Sequence, residues 1–125
     1  MNFEKRFYFK CDRELLARFS KMAEEIQLDP TAFLRLIFCA FMKVKKKEKS
    51  LVLPKKLKLN NDKSFNLSFS LSHYEQLETE ARKMGKKPAS FMRYVFTLFT
   101  TNQKFRKLIS SGLNEIFSEW EVFND

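Results

Sequence analysis

Arg6, Tyr8 and Lys10 occupy alternate positions of one short run, and Ser64, Asn66 and Ser68 occupy alternate positions of a second run 58 residues further on. Their hydrogen-bonding groups are of the kinds that tell base pairs apart by their edges. A guanidinium donates to guanine O6 and N7 together, a carboxamide offers adenine both a donor and an acceptor, and a hydroxyl serves either. A lysine reaches guanine or a phosphate. The plainer reading is a solvated polar strand face, which any half-buried sheet needs. Other chemistry is sparse. The one histidine, His73, falls in the first turn of an expected helix and reads as half-buried structure. Cys11 and Cys39 have neither zinc-type nor redox spacing and lie within apolar patterns, so both read as reduced core residues. With two glycines the chain has no phosphate-cradling loop, and it has no ligand cluster. No catalytic residue, metal or cofactor is expected.

The charge balance points the same way. Twenty-four Lys and Arg against 15 Asp and Glu leave a net charge of +9, which favours a polyanionic partner, either nucleic acid or a membrane surface. Lysines dominate from Lys43 to Lys63, whereas beyond Lys107 the charged side chains are Glu115, Glu119, Glu121 and Asp125. A hydrophobic share of 44% with 15 Phe is enough for a core and argues against disorder. No leader-like segment precedes the first run, and no apolar stretch approaches the roughly 18 residues that span a bilayer. A cytoplasmic protein with no membrane partner is expected.

The elements that must position those side chains follow from periodicity. Phe7, Phe9 and Cys11 alternate with Arg6, Tyr8 and Lys10, while Phe65, Leu67, Phe69 and Leu71 alternate with Ser64, Asn66, Ser68 and Ser70. Each run is therefore a strand with one buried face. A slip of one residue would exchange the faces, because Phe7, Tyr8 and Phe9 are all aromatic. Helical spacing takes over at Leu15, Leu16, Phe19, Ala23 and Ile26, and again at Tyr74, Leu77, Ala81 and Met84. Gly85 suits the left-handed residue that closes a helix, a conformation its counterpart Gln27 accepts less readily. Second helices open at Pro30 and Pro88, behind Asp29, a good N-cap, and Lys87, a poor one. Their apolar faces are wide: Phe33, Leu34, Ile37, Phe38 and Phe41 in one, Phe91, Met92, Val95, Phe96 and Phe99 in the other.

These parallels amount to an internal repeat. Residues 6–42 lie over residues 64–100 without a gap, at the offset that carries Pro30 to Pro88, Arg35 to Arg93 and Phe38 to Phe96. One copy, at roughly 40 residues, is near the lower limit for independent stability and leaves a bare strand edge. Two copies pairing their strands would remove both problems. FNLSFS followed by LETEARKMGKKPASFMR resembles the ribbon-helix-helix family, the Arc- and MetJ-like DNA-binding proteins, and the tandem arrangement is similar to fused plasmid-transfer and regulatory members. The resemblance implies a mainly α fold with a short two-stranded antiparallel ribbon, in which two ribbon-helix-helix repeats form a single-chain pseudo-dimer. The expected division is a first repeat at 1–46, a basic linker at 47–61, a second repeat at 62–101 and a C-terminal helical extension at 102–125. The strands can pair within one chain or, by domain swapping, between two.

The resemblance further implies sequence-specific binding of double-stranded DNA, the ribbon entering the major groove with Arg6, Tyr8, Lys10, Ser64, Asn66 and Ser68 toward the bases. It also implies phosphate contacts at the N-termini of the second helices, through Thr31 and Ala32 and through Ala89 and Ser90, with Lys86 and Lys87 adding charge. Asp29 is unfavourable beside a phosphate. The strands differ in composition, so the expected target is asymmetric, with the basic strand contributing more of the affinity. The run Lys45, Lys46, Lys47 is either a solvated face or a further DNA contact. Beyond the repeat, Ile109, Leu113, Ile116, Trp120 and Phe123 form a helical stripe, with Gly112 breaking or weakening the helix. That stripe either completes the core or serves self-association or a protein partner. A transcriptional repressor is the expected role. The alternatives are a plasmid or phage accessory factor, an antitoxin whose C-terminal segment binds a toxin, and an interaction protein at an anionic surface.

Overall fold

A computed structural model describes the backbone of residues 4–48 and 61–124 and the side chains of residues 4–48 and 61–118. Within it the chain is mainly helical, with one two-stranded antiparallel sheet. The elements are β1 (Glu4–Cys11), α1 (Arg13–Glu25), α2 (Pro30–Lys47), β2 (Lys63–Ser70), α3 (Leu71–Lys83), α4 (Pro88–Thr101) and α5 (Gln103–Asn124). The linker residues 49–60, with Leu51, Val52, Leu53, Leu57 and Leu59, lie outside the described residues. No described helix is long and apolar enough to cross a membrane.

Side-chain chemistry at the element ends explains most of these boundaries. Asp12 caps α1 by accepting from the amides of Glu14 and Leu15, and Asp62, ahead of β2, accepts from the amide of Arg13 at 2.9 Å. Two carboxylates thus satisfy orphan donors at one helix start. Ser70 caps α3 through the amide of His73 at 3.3 Å. That cap ends β2, so Leu71, expected as an inward strand residue, instead opens α3 and is 47% exposed. His73 is likewise exposed rather than half-buried. Ile26 falls on the C-cap of α1 and is also exposed, so it leaves the apolar stripe expected of it. Gln27 and Gly85 both adopt positive φ, at 60° and 66°, and close α1 and α3 in the same way. At the C-terminus of α4, Arg106 donates to the carbonyls of Phe99 and Thr100, and Arg18 donates to that of Thr100. Cations there complement the helix dipole.

The strands cover a core built largely of phenylalanine. Phe9 and Phe65 lie directly opposite one another in the ribbon and stack at 5.3 Å on its inner face. Beneath them Phe96 of α4 touches Phe9, Phe65 and Phe19 of α1, while Phe19 also packs on Phe33 and Phe99. Phe38 reaches Phe69, and Phe41 joins Phe91 to Phe105 of α5. Both expected wide-faced helices are therefore buried against each other and against the ribbon.

α5 continues that core. It runs through Gly112, which neither breaks nor merely weakens it: a Cβ there would stand 2.6 Å from the Ala40 carbonyl oxygen, so the glycine is what lets α5 lie against α2. Ile109 and Leu113 are buried and Ile116 is half-buried against the core, so this part of the stripe packs within the chain, the first of the two readings the sequence offered. The side chains of Trp120 and Phe123 lie outside the described residues. α2 runs one residue into the expected linker: Val44 is buried and Lys45–Lys47 form its last turn. Lys47 pairs with Glu115 of α5 at 3.0 Å, which holds the Glu115 carboxyl below its ordinary pKa.

Candidate functional site

Register decides what the ribbon presents. Tyr8 lies opposite Asn66, Arg6 opposite Ser68 and Lys10 opposite Ser64. Because alternate side chains share a face, these six stand together on the side away from the core, while Phe9, Cys11, Phe65, Leu67 and Phe69 are buried on the other. The one-residue slip does not occur. Arg6, Lys10 and Asn66 are exposed, Tyr8 is 59% exposed, and Ser64 and Ser68 are half-buried. An open depression of about 530 Å³ along this surface is lined by Glu4, Arg6, Tyr8, Thr31, Asn66 and Ser68 among others. Glu4, opposite Ser70, adds a carboxylate to the basic strand that the sequence reading left out.

The two second-helix N-termini differ. At α2, Asp29 Oδ1 accepts from the Ala32 amide at 2.8 Å, so that amide, expected to be available to a phosphate, already has a carboxylate partner. The Thr31 hydroxyl, as distinct from the backbone amide expected at a phosphate, donates to the Asn66 carbonyl at 3.3 Å. At α4, Lys87 holds the N-cap position and makes no side-chain cap bond, so among the described residues the amides of Ala89 and Ser90 have no such partner. Lys86 Nζ sits 3.8 Å from the centre of the Tyr94 ring, a cation–π contact that fixes a positive charge beside this end. Lys45–Lys47 lie at the far end of α2, by helical rise about 24 Å from Thr31.

The structure gives roles or surroundings to further polar residues that periodicity leaves unread. Arg35, noted only as matching Arg93 in the repeat, donates from Nη1 to the Ser68 carbonyl at 3.0 Å. Arg93 Nε is buried without a hydrogen-bond partner. Glu80, on α3, is buried, with one oxygen bonded to Lys83 at 3.3 Å and the other unpartnered. Its position matches Met22 in the repeat, so nothing in the apolar pattern pointed to a carboxylate. Burial pushes the thiols of Cys11 and Cys39 up in pKa, and both are free cysteines. Among the described residues no group of three or more His, Cys, Asp and Glu is arranged to hold a metal.

No family model, curated protein or solved structure matches this chain. Any functional reading therefore stands on the geometry of the ribbon and the chemistry of its outer face.

Proposed function

We propose that this chain is a single-chain pseudo-dimer of ribbon-helix-helix type that binds double-stranded DNA by laying its ribbon in the major groove, and that it acts as a transcriptional repressor. The observation that carries the reading is the register. Tyr8 faces Asn66, its own counterpart at the repeat offset of 58, while Arg6 faces the counterpart of Lys10, and Lys10 that of Arg6. Pairing centred on equivalent residues is what two equivalent halves related by a two-fold axis produce. It leaves Arg6, Tyr8, Lys10, Ser64, Asn66 and Ser68 on one open face.

Dimensions favour the same reading. Alternate residues of a strand are about 6.8 Å apart, and three of them span about 14 Å, close to four base steps of about 3.4 Å. Two strands about 5 Å apart, with side chains added, fill a groove about 12 Å wide. A net charge of +9 supplies the affinity for phosphates that a ribbon needs before it can read bases. Membrane binding would use the charge but has no need of an alternating polar face.

The test is selection from a random-sequence duplex pool, followed by binding to the selected and to a random duplex at two salt concentrations. Selection of a defined, non-palindromic sequence is expected, with affinity falling steeply as salt rises. Arg6→Ala and Asn66→Ala should each lower discrimination by about 1–3 kcal/mol per lost base contact while leaving the fold intact. An equal loss on every sequence would leave base readout without support, and the absence of any selected sequence would end the proposal.

A further inference from the structure

α2 meets the ribbon at the outer edge of β2, and it does so with side-chain donors. Thr31 Oγ1 donates to the Asn66 carbonyl at 3.3 Å, and Arg35 Nη1 donates to the Ser68 carbonyl at 3.0 Å. The spacings match. Residues four apart on a helix share a face and are separated by about 6 Å along its axis, while alternate residues of a strand are about 6.8 Å apart. A helix running beside the strand can therefore bond both carbonyls at once. At the edge of a two-stranded ribbon such carbonyls have no ladder partner, so the bonds satisfy groups that would otherwise be left to water. Arg35 is half-buried, which strengthens the shorter of the two bonds.

The carbonyls concerned belong to Asn66 and Ser68, two of the residues whose side chains stand on the open face. β1 is held differently. The positions matching Thr31 and Arg35 are Ala89 and Arg93. Ala89 has no hydroxyl, and among the described residues no hydrogen bond joins the Arg93 guanidinium to β1, its Nε being buried without a partner. The latch is thus a feature of one edge of the ribbon and falls outside the repeat's symmetry.

We infer that Thr31 and Arg35 are positioning residues: by fixing the β2 backbone they set the reading of bases by Asn66 and Ser68, and they have no such hold on Arg6, Tyr8 and Lys10. This inference rests on the DNA-binding reading above. It adds to the part expected of Thr31: the backbone amide is the group expected at a phosphate, and the hydroxyl serves the ribbon. A side chain that must bond a base edge in two places tolerates little backbone wander, and loss of the latch therefore costs discrimination at the bases that β2 reads.

The experiment has an arm without DNA and an arm with it. In the free protein, backbone order parameters and carbonyl shifts are compared among the parent, Thr31→Val, Arg35→Met, the double variant and, as a matched control on the other helix, Arg93→Met. The double variant should lower order along β2 and move the Asn66 and Ser68 carbonyl signals, with β1 unaffected and Thr31→Ser behaving as the parent. Equal changes in β1 and β2, or the same β2 changes from Arg93→Met, would overturn the latch. In the second arm the selected duplex is scanned base by base. Asn66→Ala and Arg6→Ala mark the bases read by each strand, and the double variant should relax the Asn66-marked bases about tenfold relative to random duplex while sparing those marked by Arg6. The ratio removes the general effect of losing the Arg35 charge, which weakens binding to all sequences alike. Uniform relaxation, or relaxation at the Arg6-marked bases, would overturn the inference. Absence of sequence selection by the parent would remove the specificity role together with the DNA-binding reading, while the first arm would still decide whether the latch exists.

Discussion

Gln27 and Gly85 close two helices with the same left-handed turn, at φ 60° and 66°, but at different energetic cost. Glycine adopts that conformation freely, whereas a residue with a Cβ is disfavoured by roughly 1–2 kcal/mol. Gln27→Gly should therefore stabilise the protein by about 1 kcal/mol, after allowing for the added freedom of glycine in the unfolded chain. An unchanged or lower denaturation midpoint would refute that account. A Cβ on Gly85 meets nothing within 4 Å, so the cost of a side chain there comes from the backbone alone. At this scale the sequence was informative wherever a residue type answers to backbone geometry: Gly85, Asp29 and Pro30 were all legible. It was silent on the bonds that Arg35 and Thr31 make to the ribbon, because a donor aimed at a main-chain carbonyl leaves no mark in a pattern of side-chain types.

Among the elements, α5 was the hardest to read. Its apolar stripe was visible, but whether that stripe was core or surface turned on Gly112, and a glycine within a helix usually signals weakness. Here it signals approach. Gly→Ala in a helix interior ordinarily gains about 1 kcal/mol, yet Gly112→Ala should lose about 1–3 kcal/mol, because the new methyl meets the Ala40 backbone at 2.6 Å and must push two helices apart. A raised melting midpoint would show that α5 packs elsewhere. The Lys47–Glu115 pair lies on the same seam. Since the Glu115 pKa is lowered by its partner, any contribution is present above the ordinary carboxylate range and is lost as pH falls through the lowered value. It is small, because the pair is exposed. Strand alternation was read correctly up to Ser70, where the capping role of that serine overrode the continuing pattern and turned Leu71 into the first residue of α3.

For the whole molecule, Phe96 is the joint. It belongs to α4 yet touches Phe9, Phe19 and Phe65, which lie in three separate elements, β1, α1 and β2. Phe96→Ala should cost about 3–5 kcal/mol, and amide signals from residues 4–47 and from residues 63–101 should be lost in one shared transition. Two transitions at different denaturant concentrations would mean that the chain does not share one core. Pairing of distant strands was inferable because neither copy of the repeat could bury its own apolar helix. Its edge-specific fastening was not, since the repeat predicts equal treatment of both strands. α5 adds a larger inequality: among the described residues it packs more extensively on α2 than on α4, the helix that leads directly into it. If the ribbon sits in a groove as proposed, the protein has a front and a back. Whatever α5 displays would face upstream or downstream according to the orientation of the site, so inverting that site beside a promoter would turn the display around without altering how tightly the protein is held.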